Sequence, residues 1–149
     1  MLRRLVLTAT ASAAALAAAV PASAAASPLP LPLPLPLLER PDRLTVIVSE
    51  TGNARTDGTY ELECGPVGGT HPAAESACSR LEELSREQQD PFAPVPTGRM
   101  CTQQFGGPAT ARITGTWQGR HVDATFKRSN GCEISRWQNL QPVLPDTRS

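Results

Sequence analysis

The sequence predicts an α+β domain of two layers, an antiparallel sheet packed against helix, on three observations. Short runs of alternating apolar and polar residues recur between turn signals. One segment, Ala74 to Leu84, carries its apolar residues at helical spacing instead. Four cysteines, Cys64, Cys78, Cys101 and Cys132, are spread through the same region and suit a small domain with only six aromatic residues for its core.

Leu44-Thr45-Val46-Ile47-Val48 is β-branched and reads as the first strand. Gly52-Asn53 and Asp57-Gly58 mark a turn. Tyr60, Leu62 and Cys64 then share one face of a second strand, and Gly65 to Gly69 reads as a loop. Pro72 suits the first turn of a helix, where its missing N–H is no loss. Ala74, Ala77, Cys78, Leu81 and Leu84 form the apolar stripe of that helix, with Glu75, Glu82, Glu83, Arg86 and Glu87 mostly on its wet side. From Asp90-Pro91 to Gly98 the chain is irregular. Ala109, Ala111 and Ile113 alternate with Thr110, Arg112 and Thr114 in a third strand. Gln118-Gly119 makes a hairpin turn into a fourth, where Val122, Ala124 and Phe126 alternate with Asp123, Thr125 and Lys127. Trp137, Leu140, Val143 and Leu144 in the tail suggest a fifth strand, interrupted by Pro142 and Pro145.

The first 40 residues read as something other than domain. Arg3-Arg4, the uncharged run Leu5 to Val20 and the small-residue signal Ala22-Ser23-Ala24 describe a secretory signal peptide over 1–24, with Ala26 as an alternative cleavage site. The richness in Ala and the closing Pro21 argue against a membrane anchor. Residues 25–40 contain the near-perfect Pro/Leu alternation of Pro28 to Leu38. Repeated proline fixes φ and removes donors, so this is an extended linker. The domain is expected over 41–149, secreted and extracellular.

Without Arg3 and Arg4 the chain has 12 basic and 14 acidic side chains, a net charge of −2. Nothing in that balance calls for nucleic acid or an anionic membrane surface. In an oxidising compartment the four cysteines are expected to form two disulfides, for which the sequence leaves three pairings open. Zinc is the rival use, but there is no C-x-x-C pair and only His71 and His121 are available, so no metal or cofactor is expected. The same two histidines limit catalysis. His71 precedes Pro72 and suits a structural role. A Ser49, His121 and Asp123 set lacks nucleophile-elbow glycines around its serine. No enzyme is expected.

One segment stands apart. Arg99 to Pro108 has no apolar period and no helix signal. Cys101 pins it at one side, and Gly106-Gly107-Pro108 closes it. A polar loop stapled to a rigid scaffold is a suitable shape for recognition.

Several motifs together resemble the Streptomyces subtilisin inhibitor family. Cys64, then Gly69-Thr70-His71-Pro72-Ala73-Ala74 and Ser76-Ala77-Cys78, are similar to its first disulfide loop and helix start. Met100-Cys101 matches its run-in to the reactive site. Gly115-Thr116-Trp117-Gln118-Gly119-Arg120 matches its hairpin, and Phe126 with Asn130-Gly131-Cys132 its closing motif. The resemblance implies four to five antiparallel strands with one long and one short helix, disulfides Cys64–Cys78 and Cys101–Cys132, and a homodimer. It implies an inhibitor of extracellular, subtilisin-like serine proteases whose reactive bond is Gln103-Gln104. Met100, Cys101, Thr102 and Phe105 would then contact the protease, and the Asn130 side chain would brace the loop. Three features depart from the family. A Gln pair replaces Met, Lys or Arg followed by a β-branched residue, the loop exit is one residue longer, and the tail contains prolines. The alternatives are a disulfide-stapled binding module without inhibitory activity and, from the paired Gln, a glutamine donor for a transglutaminase.

Overall fold

The structure, a computed structural model, describes residues 42–147. The expected signal peptide and Pro/Leu linker lie outside the described residues. Five strands form one antiparallel sheet: β1 (Asp42–Ser49), β2 (Gly58–Cys64), β3 (Gly68–Gly69), β4 (Thr110–Trp117) and β5 (Arg120–Phe126), in the order β3-β2-β1-β4-β5. Helices α1 (Ala74–Arg86) and α2 (Gly131–Asn139) complete the fold. The two-layer α+β arrangement is the one the alternation and the single helical stripe predict.

The β-branched first strand takes the centre, where both its edges are paired. Leu44, Val46 and Val48 are buried with Leu62 of β2, Ala111 and Ile113 of β4, and Val122, Ala124 and Phe126 of β5. Against that face pack Ala77, Cys78, Leu81 and Leu84 of α1 and Trp137 of α2. Polar bonds tie α1 to the sheet and to α2. The Trp117 indole N–H donates to Ser85 Oγ at 3.1 Å, and the Arg80 guanidinium donates to Asn139 O at 2.9 Å and Oδ1 at 2.7 Å. The other face of the sheet is polar, with Arg112 paired to Asp123 through two hydrogen bonds and Arg43 paired to Glu63. Gly115 has φ 136°, and a Cβ there would strike the Arg43 carbonyl across the β1–β4 ladder, so only glycine fits.

Three local expectations are corrected, and the short second helix that the resemblance implies is present as α2. Pro72 lies before the N-cap Ala73 rather than within the first helical turn. Its neighbour His71 explains the start instead, because His71 Nδ1 accepts from Ala73 N–H at 3.2 Å. Gly68–Gly69, expected as loop, is the two-residue edge strand β3. Residues 131–139 form α2, capped by Asn130 Oδ1, which accepts from Glu133 N–H at 3.0 Å. The tail is not a fifth strand. Pro142 and Pro145 have no N–H to give a ladder. The tail is held through its carbonyls: His71 Nε2 meets Val143 O at 3.0 Å, Trp137 Nε1 donates to Pro145 O at 2.9 Å, and Arg128 Nη1 donates to Thr147 O at 3.3 Å.

His71 therefore has a fixed tautomer. Ala73 N–H can only donate and Val143 O can only accept, so Nδ1 is bare and Nε2 carries the proton. Burial lowers the imidazole pKa, opposed in part by the bond to Val143. Protonation would set a new N–H against that of Ala73. The stabilisation is then complete above the ordinary imidazole value of about 6.5, and it is lost as the pH falls through the lower folded-state value. Melting temperatures of the parent and His71→Gln, compared from pH 7.5 to 5, should converge on acidification. A constant difference would show that His71 does not titrate in this range.

Candidate functional site: a loop tethered to the start of α2

The long connection between α1 and β4 leaves the body, turns and returns. Its incoming limb is anchored by Arg136 of α2. The Arg136 guanidinium donates to Ala93 O at 2.7 Å, Phe92 O at 3.1 Å and Thr125 O at 2.6 Å, and it lies 3.8 Å over the Phe126 ring. With most of its N–H groups engaged, this planar fork joins the limb, β5 and α2 at one point. Burial lowers its pKa, against the opposing pull of Glu133. Arginine stays charged at any ordinary pH, so the joint is permanent.

Beyond Gly98 the chain is exposed. Met100 is 94 % accessible and Phe105 70 %, the two largest exposures among the large hydrophobic side chains of the described residues. Thr102, Gln103 and Gln104 between them are exposed as well, and only the bridged Cys101 is half-buried. The Cys101–Cys132 disulfide ties the near side of this stretch to α2, and Cys64–Cys78 ties β2 to α1. Two backbone bonds flank the glutamines. Gly131 N–H donates to Thr102 O at 3.0 Å, and Gly106 N–H donates to Arg128 O at 2.8 Å.

Close approach makes both tethers possible. A Cβ on Gly131 would strike Thr102 Oγ1. A Cβ on Gly106 would come within 2.8 Å of Ile134 Cγ1 and 2.9 Å of its Cδ1. Neither glycine has positive φ, so space and not backbone conformation selects them. Sequence reasoning assigned no role to Gly131, Ile134, Arg128 or Arg136. Asn130-x-x-Glu133 was a legible helix-start signal, but which loop residues would meet that helix depends on tertiary placement.

The predicted site residues Met100, Cys101, Thr102, Gln103, Gln104 and Phe105 thus form one continuous surface stretch. Asn130 lies beside it, with its Oδ1 engaged in capping α2, and the Thr102 carbonyl is met by the backbone of the next residue, Gly131. The Ser49, His121 and Asp123 set is not assembled. Ser49 pairs with Thr110 at one end of the ladder and His121 pairs with Thr116 near the other, roughly 20 Å along the strands. Among the described residues no group of three or more His, Cys, Asp or Glu is placed to hold a metal, and no helix is long and apolar enough to cross a membrane.

Comparison with known proteins bears directly on this scaffold. The family profile described as subtilisin inhibitor-like matches residues 41–130, more than half of the chain. The chain belongs to the subtilisin inhibitor-like family. Relatives include the subtilisin inhibitor-like protein 1 of Streptomyces cacaoi, 38 % identical over 96 residues, covering 61 % of this chain and 86 % of the relative. The subtilase-type protease inhibitor of Streptomyces coelicolor is 37 % identical over 100 residues, covering 64 % and 67 %. Among solved structures, Streptomyces caespitosus sermetstatin in complex with Bacillus licheniformis subtilisin aligns at 28 % identity and a TM-score of 0.46, covering 71 % of this chain and 99 % of that one. The subtilisin inhibitor-like profile spans all five strands, α1 and the exposed loop, and ends at Asn130, the cap of α2.

Proposed function

We propose that this chain is a secreted inhibitor of extracellular, subtilisin-like serine proteases, with Gln103-Gln104 as its reactive bond. The observation that carries the reading is the exposure of Met100 and of Thr102 to Phe105 on a loop tied to one helix by a disulfide and two backbone bonds. The family name and the names of the relatives supply the target class.

In this reading the loop enters the protease cleft as a substrate does. Gln103 fills the specificity pocket, and its carbonyl oxygen lies at the oxyanion hole. Met100, Cys101 and Thr102 occupy subsites before the cut, and Phe105 one after it. Little chain entropy remains to be lost on docking, because the tethers already order the loop. Asn130 supports the loop indirectly, by capping α2 and so directing the Gly131 N–H toward Thr102. The resemblance further implies a homodimer.

The test is a titration of subtilisin with the purified secreted form. Residual activity should fall stoichiometrically at nanomolar to micromolar inhibitor, while the Gln103-Gln104 bond is cut far more slowly than in a free peptide of the same sequence. Full subtilisin activity at micromolar inhibitor, with cutting at an ordinary substrate rate, would replace this reading with that of a stapled binding module.

A further inference from the structure

We propose that Gly106 and Gly131 are positioning residues for resealing the reactive bond. Together they clamp both cut ends to the single segment Arg128 to Ile134. The inference rests on the inhibitor reading and concerns the fate of the bond after the first attack.

When the protease serine hydroxyl attacks the Gln103 carbonyl carbon, the C–N bond to Gln104 breaks. Gln104 leaves as a free amine carrying the serine's proton, and Gln103 becomes an ester of the enzyme. Two outcomes compete. Water can release Gln103 as a carboxylic acid, or the Gln104 amine can attack the ester, reform the peptide bond and return the proton to the serine oxygen. Which one wins depends on how far the amine drifts.

The structure limits that drift from both sides. Thr102 O stays bonded to Gly131 N–H, one residue from the new ester, and Cys101 is covalently joined to Cys132. On the amine side Gly106 N–H stays bonded to Arg128 O, and the bare α-carbon of Gly106 rests against Ile134. Only Gln104 and Phe105 lie between the new amine and this tether, at most about 7 Å of extended chain. Because both tethers belong to one short run of chain, they keep their mutual distance after scission. The amine therefore remains at high effective concentration beside the ester.

A methyl group at either glycine should open the clamp on one side. Gly106→Ala and Gly131→Ala are expected to raise the ratio of cut to intact inhibitor, measured at equilibrium with catalytic subtilisin, by tenfold or more, with a parallel loss of affinity. The steric origin predicts rescue. Gly106→Ala combined with Ile134→Ala, and Gly131→Ala combined with Thr102→Ala, should return the ratio most of the way to the parent value. Ile134→Ala alone adds no atom and should also raise the ratio, which keeps the test open if a single glycine variant does not fold. A parent that inhibits, with folded glycine and Ile134 variants that keep its cut-to-intact ratio, would overturn the clamp and leave the inhibitor reading standing. A parent that does not inhibit would instead remove that reading.

Discussion

A Gln103→Lys variant is expected to bind trypsin roughly two to three orders of magnitude more tightly than the parent. A trypsin-type pocket ends in a buried carboxylate that wants a cation. The Gln103 side chain stops short and carries no charge, so docking the parent leaves that carboxylate desolvated and poorly paired. Leaving one member of a buried pair without its partner costs roughly 3–5 kcal/mol, and each factor of ten in affinity is about 1.4 kcal/mol. Subtilisin-like pockets accept many long side chains, so affinity for subtilisin should move much less. The fold should not notice, because Gln103 is exposed. Inhibition constants of both proteins against both proteases decide the matter. Equal trypsin affinities for parent and variant would mean that Gln103 does not enter the pocket, and would move the reactive bond elsewhere on the loop.

Replacing Cys101 and Cys132 together by serine should turn the chain from an inhibitor into a substrate. The bridge spans a sequence separation of 31 residues with its Cα atoms 5.4 Å apart. In the chain-entropy model a loop of that length contributes about 3.5–4 kcal/mol. For a domain of this size the melting temperature should fall by roughly 15–25 °C. The larger effect is local. Without the bridge, the single backbone bond from Gly131 to Thr102 holds the near side of the proposed reactive bond, and exposed backbone bonds open readily. Subtilisin should then hydrolyse Gln103-Gln104 at a rate approaching that of a linear peptide, even at temperatures where circular dichroism reports a folded sheet. A double variant that is folded and inhibits like the parent would show that the disulfide serves stability alone.

Strands β1, β2, β4 and β5 and helix α1 were legible because each buries a face against one partner layer. That geometry leaves a period of two or of about 3.6 residues in the sequence. The Leu44, Val46, Val48 and Val122, Ala124, Phe126 triplets are such imprints. Helix α2 left no such imprint because it is short, begins with Gly131 and Cys132, and runs into the apolar tail, so Trp137, Leu140 and Val143 looked like a strand with interruptions. β3 is two glycines long and leaves no period at all. The loop was legible as a stretch of polar residues pinned by Cys101, and the family resemblance placed a bond within it. Of what holds it, the resemblance implied the Cys101–Cys132 bridge, and the remaining tethers were not legible. The contacts of Gly106 with Ile134, Gly131 with Thr102 and Arg136 with the Phe92 and Ala93 carbonyls join residues 28 to 44 positions apart, and nothing in either local sequence names its partner.

The tail bonds have a consequence for how the motions of this protein are observed. Carbonyls 143, 145 and 147 accept hydrogen bonds from side chains, and Pro142 and Pro145 carry no amide hydrogen at all. The Val143 and Leu144 amides bond only to Leu140 O in the same local turn, so backbone hydrogen exchange reports that turn and under-represents how firmly the tail is held to the rest of the domain. The reporter of its closure is a side-chain proton, the indole N–H of Trp137. That ring is fully buried, and its hydrogen bond ends on Pro145 O. Solvent reaches that proton when the tail lifts or α2 comes away with it, so a single indole resonance records the opening of a segment that amide exchange largely passes over.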